Sequence, residues 1–280
     1  MPHISRILAY PIKSLPMLAR EQATLIADGA LAGDRAYAVF EAGVSPGEAS
    51  VAGGGGYVNG KSDRQVHTVS ADYELAGDGD ATPTQINVDA PGAGAAEFSL
   101  PDESDALADW LGDMLGYAVD VHRDPAGFQD RSRASGPTII SEATLEEVAS
   151  WYDGIDSDEM CRRLRPNIVV DGVDAFWEDR LIAEPDSHVE FQLGEAFIRG
   201  VDPCRRCVVP SRDPDTGAEY PDFRTRFINQ RKATLPEWSG GDRFDGFFQL
   251  MTNTIVPDST AGTVIELGEK VEIRGTVATN

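Results

Sequence analysis

The sequence predicts a mainly β protein with a few helices, of the α+β class, folded as two domains with barrel-like sheets. Short runs rich in β-branched and alternating apolar residues recur along all 280 residues, whereas only two or three segments have helical spacing. The chain contains no glycine-rich phosphate loop of the GxGxxG or GxxxxGK type. This pattern favours barrels over a doubly wound sheet, and the length is sufficient for two hydrophobic cores.

The first half contains most of the strand-like runs. A helix is predicted to begin at Pro101–Ser104, because acidic residues in a first turn suit the helix dipole and the following leucines share one face with Trp110. The glycine-rich run 42–60 predicts a surface loop. The predicted strands are Ile4–Pro11, Ala23–Ile26, Arg35–Glu41, Gln65–Ser70, Gln85–Val88, Ala95–Leu100 and Val119–His122.

The polar run 123–137 is predicted to be a loop and the domain boundary, dividing the chain into domains 1–122 and 123–280. Ser141 is a predicted N-cap for a second helix that turns Leu145, Val148 and Trp151 inward. The strands predicted for the second domain are Ile168–Val170, Val189–Leu193, Ala196–Val201, Thr263–Leu267 and Lys270–Arg274.

Acidic residues are spread along the chain and give a net charge of −23 with only four lysines. A dispersed acidic surface favours a halophilic protein, because high salt screens the self-repulsion; an acidic mesophilic protein is the alternative. Nucleic-acid binding is disfavoured, since it requires clustered positive charge. The N-terminus lacks a signal-peptide pattern and no apolar run reaches the roughly 20 residues of a membrane span, so we expect a cytoplasmic protein without membrane contact.

Two of the three cysteines lie in the segment Pro203-Cys204-Arg205-Arg206-Cys207. Neighbouring cations lower the pKa of a thiol and favour the thiolate, which attacks electrophiles or binds metals. Half of a zinc site, a redox pair and two half-buried small hydrophobes are the alternatives. Zinc lacks further ligands at a suitable spacing, and Val208-Val209-Pro210 favours extended chain where a redox pair normally begins a helix. One free cysteine acting as soft ligand or nucleophile is the favoured interpretation.

Several cations stand at the ends of predicted strands. Lys13 and Ser14 follow the first strand, Arg35 begins a later one, and Arg165 and Asn167 flank Pro166. In so acidic a chain, cations that converge in space would indicate an anionic ligand. For any one of them alone, a surface salt bridge is the simpler interpretation.

These residues lie in motifs that resemble the MOSC family, named for the C-terminal domain of molybdenum cofactor sulfurase. Tyr10-Pro11-Ile12-Lys13-Ser14 and Leu31–Arg35 are similar to its N-terminal beta-barrel domain. The resemblance continues in the second half and is greatest to the amidoxime-reducing type. The motifs there are Arg165–Gly172, Phe176–Asp179, Cys204–Cys207 and Asp213–Gly217.

The resemblance implies an N-terminal β-barrel-like domain and a MOSC β-barrel domain with molybdenum cofactor held between them. Cys207 then corresponds to the catalytic metal ligand, and a thiolate is a soft donor suited to a redox metal. The residues implied to hold the cofactor's phosphate and pterin are Lys13, Ser14, Arg35, Arg165 and Asn167, together with Ser135 as a small hydroxyl residue.

The function implied is that of a molybdenum-dependent oxidoreductase that reduces small N-hydroxylated substrates. No cysteines remain for an iron–sulfur cluster and no pyridoxal phosphate domain precedes the motifs, so neither cofactor is expected. Electrons would come from a separate ferredoxin or flavoprotein. The alternative is a protein that carries the cofactor, or sulfur as a persulfide of Cys207, without turnover. A plain thiol enzyme is a third hypothesis, although the four histidines, His188 among them, form no evident nucleophile–base pattern.

Overall fold

In this computed structural model of the protein, the described residues are 1–27, 29–46, 56–75, 82–130, 134–239 and 241–279. Residues 47–55 of the predicted loop 42–60 and residues 131–133 of the predicted loop 123–137 lie outside them. The strands of the described residues are β1 (His3–Ala9), β2 (Leu18–Arg20), β3 (Gln22–Thr24), β4 (Tyr37–Glu41), β5 (Ser70–Leu75), β6 (Pro83–Asp89), β7 (Ala96–Ser99), β8 (Val119–Arg123), β9 (Ile139–Ser141), β10 (Ile168–Asp171), β11 (Ser187–Leu193), β12 (Ala196–Arg205), β13 (Gln249–Ile255), β14 (Val264–Glu266) and β15 (Val271–Ala278). The mainly β class is confirmed.

The helices within these ranges are short, at 8 to 12 residues. The predicted N-cap is confirmed, since the Ser141 hydroxyl accepts a hydrogen bond from the backbone N–H of Thr144 at 3.1 Å. Among the described residues, no helix has both the length and the apolar character needed to cross a membrane. The helices are α1 (Ser104–Leu115), α2 (Glu142–Ala149), α3 (Ser157–Leu164) and α4 (Phe223–Ala233).

The largest sheet has eight strands in the order β15-β11-β12-β13-β9-β10-β1-β2. Its neighbours are antiparallel except for β9 and β10, which run parallel. Ile7 of β1 lies opposite Ile168 of β10, so the first strand of the chain pairs with the second half of the sequence. β3 pairs with β14 in the same manner.

At β10 both faces of this sheet are buried. Because side chains alternate along a strand, Ile168 and Val170 belong to one apolar cluster and Val169 belongs to the other. The cluster that contains Val169 is covered by α2, α3 and the aromatic residues of α4. We call this the helix-side core.

A third apolar cluster, the N-terminal core, lies among α1, β4, β8 and the hairpins of β5, β6 and β7. Tyr10 belongs to the helix-side core, whereas Ile12 and Leu15 belong to the N-terminal core. The segment that carries Lys13 and Ser14 therefore passes from one core to the other. The boundary between residues 122 and 123 stays a prediction.

One predicted strand is wrong. Gln65–Thr68 is a 3-10 helix, and β5 begins only at Ser70. Local polar bonds compete with strand pairing here: the Asp63 carboxylate accepts from the N–H of Gln65 at 2.9 Å, and the Thr68 hydroxyl donates to the Gln65 carbonyl at 2.8 Å. The extended chain predicted after Cys207 is likewise a short 3-10 helix at Val209–Ser211.

Candidate functional site

Two arginines from distant parts of the sequence meet at Tyr10, where β1 has just ended. The guanidinium carbon of Arg165 lies 4.0 Å from the centre of the Tyr10 ring, and that of Arg35 lies 5.9 Å from it. The buried Asp34 fixes this arrangement, because its carboxylate accepts from the N–H of Tyr10 at 2.8 Å and from Arg35 Nη1 at 2.6 Å. The sequence motifs of both halves are thus brought together.

Lys13 belongs to the same group. Its Nζ lies 2.8 Å from Asp130 Oδ1, 2.9 Å from the Phe128 carbonyl oxygen and 4.6 Å from the centre of the Tyr57 ring. Only 11% of its side chain is exposed. Burial lowers the pKa of Lys13 and the neighbouring Arg35 adds to this, although Asp130 acts in the opposite direction. An anion placed here would therefore meet a partly desolvated ammonium group.

The arginines are also largely withdrawn from water. Burial lowers the pKa of Arg165, while its Nη2 donates to the Leu15 carbonyl at 2.8 Å. For Arg35 burial acts in the same direction, but Asp34 and Asp130 outweigh it and its pKa is raised. Lys13, Arg35 and Arg165 form what we call the cation cluster, in which Coulomb interactions are stronger than at an open surface.

The backbone is unusual at this place. Ser14, Arg35 and Arg165 have φ angles of 76°, 53° and 56°, in the left-handed region that residues with a Cβ rarely adopt. Arg165 owes this conformation to the end of α3, where it is the C-cap. Such conformations are concentrated at functional sites, and here three of the predicted site residues share them.

The cysteine segment leaves β12 beside the helix-side core. Cys204 is half-buried and packs against that core, and its sulfur accepts from Arg206 Nη1 at 3.2 Å. Arg206 Nη2 donates to the Leu164 carbonyl at 2.6 Å, next to Arg165. Cys207 is exposed, and none of the described residues forms a hydrogen bond with it. Of the two thiols, Cys207 is the one available to an external ligand.

Arg206 joins the cysteine segment to the cation cluster, because it contacts both Cys204 and the carbonyl of the residue that precedes Arg165. The turn that follows is tied to both halves of the chain. Arg162 of α3 forms paired bonds of 2.6 and 2.9 Å with Asp215, and Arg212 donates to the Gly60 carbonyl. These contacts fix the loop that begins at Cys207.

Asn167 is fully buried, and its side chain is used within the sheet. Its Nδ2 donates to the Leu8 carbonyl at 3.1 Å, and its Oδ1 accepts from the N–H and hydroxyl of Thr138 at 3.2 and 3.3 Å. It joins β1 to the start of β9. A contact between Asn167 and a cofactor stays a prediction.

The segment that contains Ser135 lies beside β13. Its neighbour Gly136 donates its N–H to the Thr254 carbonyl at 2.9 Å, and the Thr254 hydroxyl donates to the Pro137 carbonyl at 2.7 Å. Among the described residues, no hydrogen bond joins Ser135 to another predicted site residue. Its role in binding also stays a prediction.

The donor set suits an anionic, sulfur-rich metal cofactor. Within the described ranges, no three or more His, Cys, Asp or Glu side chains are arranged to hold a metal ion. Cys207 could supply one soft ligand, and the cation cluster could hold a phosphate. Arg206 Nε is buried without a hydrogen-bond partner among the same residues, so a further donor lies beside the cysteines. These residues fit molybdenum cofactor.

The sequence patterns assign no role to Tyr10, Asp34 or Asp130, although each contacts a cation of the site. Tyr10 and Asp34 stand inside the quoted motifs, which is the signal that could have found them. Asp130 lies in a loop without any pattern, so only the structure identifies it.

Comparison with known families agrees with this two-part arrangement. Residues 1–118 match the family model described as MOSC N-terminal beta barrel domain. Residues 138–247 match that of the MOSC domain. The cysteine segment and Arg165 fall within the second match, whereas Lys13 and Arg35 fall within the first.

Curated relatives match part of the chain. Mitochondrial amidoxime-reducing component 1 of Homo sapiens is 34% identical over 79 residues, which are 28% of this chain and 20% of the relative. The protein of the same name from Mus musculus is 32% identical over 100 residues, covering 36% and 26%. Mitochondrial amidoxime reducing component 2 of Rattus norvegicus is 35% identical over 79 residues, covering 28% and 20%. The matched segments span only 20–26% of these relatives' length.

Proposed function

We propose that this chain, which belongs to the MOSC family, binds molybdenum cofactor and uses it to reduce small N-hydroxylated compounds. The names of its relatives suggest amidoximes as the substrate class. The observation that carries the proposal is the convergence of Lys13, Arg35 and Arg165 beside a segment that ends in an exposed cysteine. Cations from both halves of the chain would then hold one anionic ligand between them.

In this proposal the cation cluster binds the phosphate of the cofactor, with Ser14, Asn167 and Ser135 as further contacts. Cys207 binds the metal as a thiolate, and Cys204 supports the segment by packing against the helix-side core. When bound, the cofactor supplies a molybdenum centre able to take an oxygen atom from an N–O bond. The stacked Tyr10 ring orients the Arg165 guanidinium toward the ligand.

The overall reaction takes up two electrons and two protons and converts an N-hydroxylated substrate to the amine or amidine and water. In this proposal the electrons come from a separate ferredoxin or flavoprotein. The cytoplasmic location stays a prediction, because the relatives named above are mitochondrial proteins.

Metal analysis is the first test. The full chain from a host that makes molybdenum cofactor should contain about one molybdenum per chain, as expected for one bound cofactor. Cys207→Ser should contain far less, because a hydroxyl is a poor soft donor. Cys204→Ser is the matched control and should keep most of the metal. Protein without molybdenum, or equal loss in both variants, would contradict the proposal.

Turnover is the second test. Reduction of benzamidoxime with an artificial one-electron donor should proceed with the loaded wild type and should stop in Cys207→Ser. A protein that holds molybdenum but reduces no amidoxime would instead be a carrier.

A further inference from the structure

The segment Phe128–Asp130 lies across the cation cluster. Asp130 Oδ1 lies 2.8 Å from Lys13 Nζ, and the Phe128 carbonyl accepts from the same atom at 2.9 Å. The Gln129 side-chain oxygen accepts from Arg35 Nη1 at 3.2 Å. Three consecutive residues thus each supply an oxygen atom to a cation. In the proposed function, the same cations bind the ligand.

Of these oxygens only the Asp130 carboxylate carries charge, and it is the one free to leave. The Asp34 side chain is fully buried and is bonded to both Tyr10 and Arg35, so it belongs to the framework. The Asp130 side chain is 65% exposed and reaches the cations from the surface. Burial would raise the pKa of Asp130, but Arg35, Lys13 and Arg165 together outweigh it and lower the pKa. The carboxylate is therefore ionised and attracted by all three cations.

The net charge of the cation cluster and its carboxylates indicates which anions could replace Asp130. Among the described residues, the three cations of the cluster and the carboxylates of Asp34 and Asp130 leave one net positive charge. When Asp130 turns away, two positive charges remain, which a doubly charged phosphate group neutralises. A singly charged anion would only replace the negative charge that Asp130 already supplies. Such an anion would bind weakly, because it loses translational freedom on binding whereas Asp130 is already part of the chain.

We propose that Asp130 is an internal anion that occupies the cation cluster until a ligand displaces it, and that it thereby selects ligands carrying two negative charges. Asp130 is a specificity-determining residue of this site. That the natural ligand is the cofactor's phosphate rests on the proposed function, whereas the competition between Asp130 and phosphate does not.

The test measures binding of inorganic phosphate at pH 8 to the full chain made in a host that lacks molybdenum cofactor. Titration calorimetry is performed at constant ionic strength, because exposed charges are screened by salt. Asp130→Asn should bind phosphate about three to ten times more tightly than wild type, as expected for removing one competing carboxylate. Asp109→Asn, which removes an exposed carboxylate on α1 that pairs with none of the described cations, is the control and should match wild type.

Lys13→Gln assigns the effect to this site. The gain from Asp130→Asn should largely vanish when Lys13 is also replaced, since Lys13 makes the direct contact with Asp130. Dimethyl phosphate, which carries one charge, should bind wild type far more weakly than phosphate. The inference would be overturned if Asp130→Asn bound phosphate no more tightly than Asp109→Asn, or if neither variant bound phosphate. A gain that persists without Lys13, or equal binding of both anions, would also overturn it.

Failure of the proposed function would look different. If native protein contains no molybdenum but Asp130→Asn binds phosphate more tightly, the cofactor proposal fails and Asp130 remains the competitor. If native protein contains molybdenum and Asp130→Asn shows no gain, the cofactor proposal stands and this inference fails.

Discussion

Tyr10 lies directly beneath Arg165, with 4.0 Å between its ring centre and the guanidinium carbon, and its hydroxyl donates to the carbonyl of the next residue, Pro166, at 3.0 Å. One aromatic side chain at the end of β1 thus holds both the charge and the backbone of the segment after α3. The ring and the hydroxyl can be separated experimentally.

Tyr10→Phe keeps the ring and loses the hydroxyl. We expect it to unfold at lower urea concentration, with a loss of about 1 kcal/mol for one buried hydrogen bond, and to keep its molybdenum. Tyr10→Leu also removes the ring beneath Arg165, so it should lose molybdenum as well as about 2–4 kcal/mol. Equal molybdenum content in the two variants would show that the stacking does not orient Arg165.

Glu178 predicts a particular dependence of stability on pH. Burial raises the pKa of its carboxyl to about 8, and Asp179 adds to the shift. The unfolded chain loses this proton near the ordinary value of 4.5, so between pH 4.5 and 8 the folded state binds more protons than the unfolded state. The contribution of Glu178 to the free energy of unfolding therefore falls as pH rises through that range.

Glu178→Gln should remove this contribution while keeping an oxygen to accept from the Thr144 hydroxyl, which donates to Glu178 at 3.0 Å. Urea unfolding at pH 5 and pH 9 should show wild type losing on the order of 3 kcal/mol more than the variant over this interval. Glu97→Gln, at an exposed position of β7, serves as control and should follow wild type. Parallel profiles for wild type and Glu178→Gln would refute the prediction.

The buried ion pair of Arg231 and Asp179 should be sensitive to loss of one partner. Arg231 is fully buried between the rings of Phe176 and Phe244, and its Nη2 lies 2.5 Å from the Asp179 carboxylate. Asp179→Asn leaves the guanidinium without its counterion and should cost about 3–5 kcal/mol. Thermal and urea unfolding measure the loss.

The exposed pair of Arg64 and Glu219 is a matched control, with half or more of each side chain in water. Glu219→Gln should cost about 0–1 kcal/mol. A similar loss for both substitutions would show that Arg231 finds other compensation.

Gly200 in β12 marks a close approach between backbones. A Cβ at this position would lie 1.9 Å from the Leu181 carbonyl oxygen, which belongs to the main chain and cannot rotate away. Gly200→Ala should therefore destabilise the protein by about 3 kcal/mol, as overpacking does. Gly246→Ala meets no atom within 4 Å and should stay within about 0.5 kcal/mol of wild type in the same unfolding assay.

Much of the sheet could be predicted because its strands alternate or are β-branched. β13 was not predicted as a strand, because it is buried along nearly its whole length. It mixes Thr252 and Thr254 with apolar residues, so its sequence shows no alternation of apolar and polar residues. α4 was not predicted as a helix, because one of its buried positions is an arginine, a residue type expected at the surface. The buried positions of α4 are Phe223, Phe227 and Arg231.

The candidate site also contains residues that the sequence identifies and residues that only the structure identifies. Lys13, Arg35 and Arg165 were identifiable from motifs, and their convergence agrees with the expected anionic ligand. The pairing of Lys13 with Asp130 was not identifiable, since it joins two loops and leaves no periodic signal. For Asn167 and Ser135, a contact with a ligand stays a prediction, because a sequence motif does not define the direction of a side chain.

The pairing of β1 with β10 and of β3 with β14 affects how the protein folds during synthesis. The first strands leave the ribosome long before their partners, and they cannot be buried until most of the chain has followed. The segment that carries Lys13 therefore reaches its final position late, at the same step that completes the large sheet. A ribosome-bound chain cut short after residue 122 should leave β1 accessible to protease, and the cation cluster should form only when synthesis is nearly complete.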